Sequence, residues 1–336
     1  MRKKLMTSII CSFLMFNISN ATIATTNAIE LSPKPFISDN NSNDKNLNSN
    51  DYLQRGLTKS SLDQYTEAIE DYDKALSLDP NNVNAYISRG IAKDSLEQTF
   101  EAIQDFNNAI SLDPDNSLAY SSRGRIKVKL GSYSEAIEDY DKALSLNPNS
   151  LDYFSRGRAY FLTKNYHIAI KDFDEAIRLN PNYVSAHTRR GIARGKLGDY
   201  FGAIQDFDKV LSLNQDADIY YERAKMKFML EQYSSAIKDF NEAISLAPYC
   251  AEYYHDRGVT YFKLRAFLQA IKDFDKAISL NPDFEEAYYK RGKVKYHLKQ
   301  YTEAIKDIDK VLSLNPHNLY AFELRVRLRE IMSRQK

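Results

Sequence analysis

EAIEDYDKALSLDP occupies Glu67–Pro80, and EAIEDYDKALSLNP occupies Glu135–Pro148. Thirteen of the fourteen letters agree across a separation of 68 residues. Half that step, 34 residues, finds EAIQDFNNAISLDP at Glu101–Pro114, and later copies begin at Ala169, Ala203, Ala236, Ala270 and Ala304. Eight copies at such a period predict a solenoid, in which each unit buries its apolar face only against its neighbours.

Every copy carries two helical patterns. In the quoted segment Ala68, Ile69, Tyr72, Ala75 and Leu76 recur at helical spacing, and Pro80 closes the run. A first helix precedes it, as in AYISRGIAKDSL (Ala85–Leu96). A helix of about a dozen residues is marginal alone, so stacking must supply its stability. Gly56, Gly90, Gly124, Gly157, Gly191, Gly258 and Gly292 lie inside first helices, and the sixth copy has Ala224 there. Glycine costs about 1 kcal/mol against alanine at such positions, so its recurrence predicts a neighbour too close for a Cβ.

These residues resemble the tetratricopeptide repeat, whose pattern sets Gly or Ala in the first helix against Ala, an aromatic, Ala and Pro in the second. Gly90, Ala102, Phe106, Ala109 and Pro114 match it in the second copy, and Gly258, Ala270, Phe274, Ala277 and Pro282 in the seventh. The resemblance implies an all-α fold, a right-handed α-α solenoid of about eight helix pairs over residues 49–318. Residues 319–336 are expected to form a capping helix, with Arg and Glu on its open side. The array also has defects: Gln215 replaces the closing Pro of the fifth copy, and Gly195, Gly198 and Gly202 mark either a bend or soft joint there or neutral drift in a tolerant turn.

One departure from the family pattern is regular. Arg stands just before each small residue, where the family commonly has an apolar one, and Asp follows it sixteen residues later in all eight copies. Arg89 with Asp105, Arg123 with Asp139, Arg223 with Asp239 and Arg257 with Asp273 exemplify a structural ladder of charge pairs, since Arg grips a carboxylate through two parallel hydrogen bonds.

The ends differ from the array. Arg2, Lys3 and Lys4 precede a mostly apolar Leu5–Ile18 and small Ala21, Ala24 and Ala28, the layout of a signal peptide over residues 1–28. That apolar run is short of the roughly 20 residues of a spanning helix. Export, to a periplasm, a surface or the medium, is expected, with an uncleaved membrane anchor as the alternative. Ile10 ahead of Cys11 argues against lipidation. Residues 29–48 read as a disordered linker, rich in Asn and Ser and without hydrophobic period. Removing residues 1–28 takes away three cations and no acid, lowering the formal charge from +1 to −2. Cys250 would remain as the single cysteine, so no internal disulfide is expected.

Nothing in the sequence assembles an enzyme. The five histidines are scattered, and CxxC, HExxH, GxxxxGK[ST] and GxSxG are absent. No metal, cofactor or small-molecule substrate is expected, and the balanced charge gives no pull toward nucleic acid.

Binding then falls to a surface. If Tyr86, Arg89, Gly90, Lys93 and Leu96 face the partner helix, then Asn84, Ile87, Ile91, Asp94 and Ser95 form the opposite stripe. The resemblance makes this the concave, ligand-facing side. Its last three repeats supply Asp218, Tyr221, Lys225, Phe228 and Met229, then Glu252, His255, Phe262 and Lys263, then Glu286, Tyr289, Lys293, Tyr296 and His297. Aromatics run along the middle, with acids on one edge and bases on the other, a composition that interface centres favour. The reading is an interaction scaffold holding a partner peptide or helix. The alternatives are a self-associating structural array, and packing of these aromatics on one another. The Lys and Asn set by which some family members clamp a terminal carboxylate is absent: Leu53, Leu57, Ser88 and Leu118 stand at such places.

Overall fold

A computed structural model describes residues 47–334, and the signal-peptide and most of the linker expectations lie outside these residues. The fold is an α-α solenoid. In chain order its helices are α1 (Ser49–Ser61), α2 (Tyr65–Leu78), α3 (Val83–Ser95), α4 (Thr99–Leu112), α5 (Ser117–Lys129), α6 (Tyr133–Leu146), α7 (Ser150–Leu162), α8 (Tyr166–Leu179) and α9 (Val184–Lys196). Then come α10 (Tyr200–Leu213), α11 (Ala217–Met229), α12 (Tyr233–Leu246), α13 (Ala251–Lys263), α14 (Phe267–Leu280), α15 (Glu285–His297), α16 (Tyr301–Leu314) and α17 (Leu319–Ser333). The described chain forms two compact units, residues 47–193 and 194–334, divided within α9.

Local chemistry punctuates each repeat. Most first helices start at a capping side chain, α13 and α15 excepted: Asn82 accepts from the Ala85 amide (3.1 Å) and Asn116 from the Ala119 amide (3.1 Å). Asn48, at the edge of the expected linker, caps α1 in a capping box with Asp51, and Leu47 packs on the first core cluster. Between first and second helices the chain reverses through a left-handed residue in every copy: Asp63, Glu97, Gly131, Lys164, Gly198, Glu231, Arg265 and Lys299. Only Gly131 and Gly198 take that conformation without a Cβ penalty.

The core of each repeat is the aromatic of the second helix, replaced by Ile308 in the eighth, set against the small residue of the first. Phe106 and Phe274 are fully buried. A Cβ on Gly90 would stand 2.9 Å from the Phe106 ring, and one on Gly258 2.9 Å from the Phe274 ring. Gly195 and Gly202 also stand close to other side chains. A Cβ on Gly195 would meet the Met226 sulfur at 2.8 Å, and Gly202 donates its amide to the capping Asp199 side chain (2.9 Å). α17 buries Ala321 and Leu328 against α16, in a cluster with Ile308 and Val311. Its open side carries Leu319 (73% exposed), Tyr320 and Phe322 (55%) as well as charges. Cys250 is a buried thiol outside any disulfide.

Candidate functional site

The arginines stand on first helices, one residue ahead of the small position, where in seven copies the guanidinium faces the second helix of its own repeat. Arg89 donates from Nε (3.0 Å) and Nη2 (2.5 Å) to the two carboxylate oxygens of Asp105. Arg123 grips Asp139 at 3.0 and 2.6 Å, Arg223 grips Asp239 at 2.8 and 2.7 Å, and Arg257 grips Asp273 at 2.8 and 2.7 Å. Arg55 with Asp71, Arg156 with Asp172 and Arg291 with Asp307 repeat the fork. In the fifth copy Arg190 donates to Asp174, and Asp206 accepts from Arg194.

A third contact escaped the sequence reading. The remaining nitrogen, Nη1, reaches back to the preceding repeat: Arg89 to Asp73 (2.6 Å), Arg123 to Asn107 (2.7 Å), Arg156 to Asp141 (2.6 Å) and Arg257 to Asn241 (2.7 Å). Its signal was in the letters, because Asp or Asn stands two residues after every ladder aspartate. Each of Arg89, Arg123, Arg156, Arg223, Arg257 and Arg291 therefore ties two helices of its own repeat to the repeat before it. In seven copies a tyrosine three residues earlier covers the guanidinium face, as Tyr86 does for Arg89 at 5.5 Å and Tyr220 for Arg223 at 5.4 Å.

The proposed stripe divides by depth. Its central position is buried: Ile87, Ser121, Phe154 and Thr188 in the first unit, Tyr221 (7% exposed) and His255 (6%) in the second. The Tyr221 hydroxyl donates to Asp256 (2.6 Å) and its ring lies 4.7 Å from that of Tyr253. Tyr253 in turn donates to Asp218. Burial raises the Asp218 carboxyl above its ordinary value, against the pull of that hydrogen bond. The His255 ring lies 4.9 Å from that of Phe284, tilted by 34°, with Nδ1 2.8 Å from Asp256. Tyr221 and His255 are thus buried between neighbouring repeats, and Asp218 is half-buried beside Tyr253.

The outer part of the stripe is half-buried, with exposed residues at its margin. Phe228 meets Tyr233 edge-on at 5.4 Å, Phe262 lies 5.4 Å from His297, and Tyr296 lies 6.0 Å from Tyr301. Met229 is 52% exposed beside them, and Lys263, Glu286 and His297 face water. Glu252 is half-buried. Lys225 donates to Glu222 (2.8 Å), while Lys293 stands 5.8 Å over the Tyr289 ring. Burial, then the charges of Lys290 and Lys263, hold the Lys293 ammonium below its ordinary value.

Tetratricopeptide repeat models match residues 83–116, 117–150, 152–183, 188–251, 251–284 and 285–318, and a TPR repeat model matches 56–93. The chain belongs to the tetratricopeptide repeat family. Its fold is similar to that of a tetratricopeptide repeat protein from Parabacteroides merdae, at 23% identity and TM-score 0.53 over 74% of this chain and 98% of that one. It is similar also to the C-terminal part of a TPR repeat-containing protein from Cytophaga hutchinsonii, at 17% identity and TM-score 0.61 over 70% and 97%. A third is PilW, a type IV pilus biogenesis factor, at 21% identity and TM-score 0.54 over 60% and 94%. No curated protein matches the sequence.

Within this tetratricopeptide array the ladder sites are not equivalent. Lys59 adds a second cation to Asp71 (2.7 Å), as Lys93 does for Asp105 (2.8 Å). Burial alone would raise the Asp71 carboxyl, but Arg55 and Lys59 together hold it below the ordinary value. Tyr160 takes the lysine's place in the fourth copy, and there burial wins over Arg156 and raises Asp172. Among the described residues no group of three His, Cys, Asp or Glu side chains converges as a metal site.

Proposed function

We propose that this protein is an exported, non-enzymatic interaction scaffold that holds a peptide or helix of a partner protein along the first-helix stripe of residues 217–297. The observation that carries the reading is the row of half-buried Phe228, Phe262 and Tyr296, flanked by exposed Met229, Lys263 and His297. Aromatic rings with two rotatable bonds supply contact area at low entropic cost, and the lysines fix orientation. Membership of a repeat family that serves protein–protein interaction supports it. Export rests on the basic and apolar start of the sequence, and no helix among the described residues is long and apolar enough to cross a membrane.

The test captures partners from the extracytoplasmic fraction on the parent protein and on a Met229→Glu, Lys263→Glu, His297→Glu variant. These side chains are exposed, so the fold is expected to survive, as circular dichroism checks. A protein held by the parent and lost by the variant supports the reading, and identical captures refute this stripe. N-terminal sequencing of the native protein tests export, with a mature start near residue 29 expected. Exposed Leu319 and Phe322 on α17 favour one other reading, self-association. Concentration-dependent light scattering abolished by Phe322→Glu would establish it.

A further inference from the structure

The unit of residues 47–193 carries a stripe of different chemistry, basic where the other is aromatic. Arg125 on α5 and Arg158 on α7 occupy the residue just after the small position, and Arg189 stands on α9 two residues before Gly191. Arg125 has an acid, with Nη1 3.3 Å from Asp94. Arg158 and Arg189 have none: among the described residues no carboxylate lies within 4.0 Å of either guanidinium. The contrast with the ladder is sharp, since there every arginine fork closes on an oxygen.

The two unpaired arginines share one patch. The Arg189 guanidinium lies 5.8 Å over the ring of Phe161. Phe161 follows Arg158 by three residues on α7, so the two project from the same face of that helix. Burial, then the positive charge of Arg158, hold the Arg189 guanidinium below its ordinary value. Phe161 is braced edge-on by Tyr166 at 5.3 Å, which gives the patch a fixed apolar wall. The one buried acid of α7, Asp152, is already engaged by Ser121 Oγ (2.5 Å) and Asn149 Nδ2 (2.8 Å). Two like charges held together, half-buried and with ten N–H donors between them, are a receptor waiting for an anion.

We propose that Arg158 and Arg189 receive an aspartate or glutamate side chain of a bound partner segment, with Phe161 covering the chain beside it. The inference rests on the scaffold reading and adds the partner's chemistry: an acidic segment engages the residues 47–193, in a unit separate from the aromatic stripe. Charge complementarity decides the occupant, because a neutral or basic segment would leave two forks unsatisfied.

The test is fluorescence anisotropy of the purified protein with a fluorescein-labelled decapeptide alternating Glu and Leu, beside the same peptide with Gln for Glu. The parent is expected to bind the Glu peptide at least about tenfold tighter than the Gln peptide at low salt, with the gap narrowing as ionic strength rises. Arg158→Gln with Arg189→Gln should erase that preference. Arg178→Gln, which removes an exposed arginine paired with Glu175, should keep it. Removing one of two repelling charges does not threaten the fold, so each single variant is expected to melt no lower than the parent and to lose part of the preference. Equal binding of both peptides by the parent, binding of neither, or a preference that survives the double variant overturns the proposal. Equal binding of both would leave the aromatic stripe reading standing.

Discussion

Asp239→Ala is the most informative single change. Its carboxylate is 6% exposed and accepts from Arg223 at 2.7 and 2.8 Å and from Lys227 at 2.7 Å. The alanine leaves a guanidinium that is only 17% exposed, and an ammonium, without their shared partner. Removing one member of a buried pair costs about 3–5 kcal/mol, because the orphaned charge keeps its desolvation cost. Arg223 retains Asp208 and Tyr220, and Lys227 can extend to water, so the lower end, about 3 kcal/mol, is expected. The assay is urea unfolding followed by circular dichroism, with hydrogen exchange at residues 217–246 to localise the loss, since repeat arrays depart from two-state behaviour. A fall in the urea midpoint accompanied by faster exchange in α11 and α12 agrees with the ladder. A cost under about 1 kcal/mol, the range of exposed ion pairs, would refute the claim that the ladder is a buried structural element.

Gly90→Ala gains helix propensity but drives a methyl into the Phe106 ring, so a net loss of about 1–2 kcal/mol is expected on melting. Glu97 holds a left-handed backbone at φ +61°, and Glu97→Gly should stabilise by about 1 kcal/mol, whereas Gly131→Ala should cost a similar amount. The ladder predicts opposite pH dependences. Asp71 has a lowered carboxyl, so its ionised form stabilises the fold above the unfolded value, and that contribution is lost as pH falls through the folded value. Asp172 has a raised carboxyl, so ionisation costs stability as pH climbs past the unfolded value, and protonation relieves it. Carboxyl titration by NMR should place Asp71 below Asp172, and Tyr160→Lys should bring Asp172 down by restoring the second cation.

Much of this molecule was legible letter by letter. The 34-residue period, the small residue facing an aromatic, and the spacing of Arg to Asp needed only the geometry of a helix pair, because each concerns residues close in sequence. Even the third arm of the arginines had its Asp or Asn in every copy. It went unread because its partner belongs to the preceding repeat, across a loop whose path local pattern does not state.

The stripe shows where such reading ends. Helical periodicity establishes that Tyr221, Lys225 and Phe228 share one face of α11. Whether that face meets water depends on how the next first helix leans on it, which contacts about 35 residues apart decide, such as Tyr221 with Asp256. Sequence by itself determined the repeat, the helix pairs and the composition of the ladder. Only the tertiary structure decided which stripe residues are core and which are surface, and that Arg158 and Arg189 share a patch without an acid. Burial and pairing are properties of the stacked neighbours, not of the helix that carries the residue.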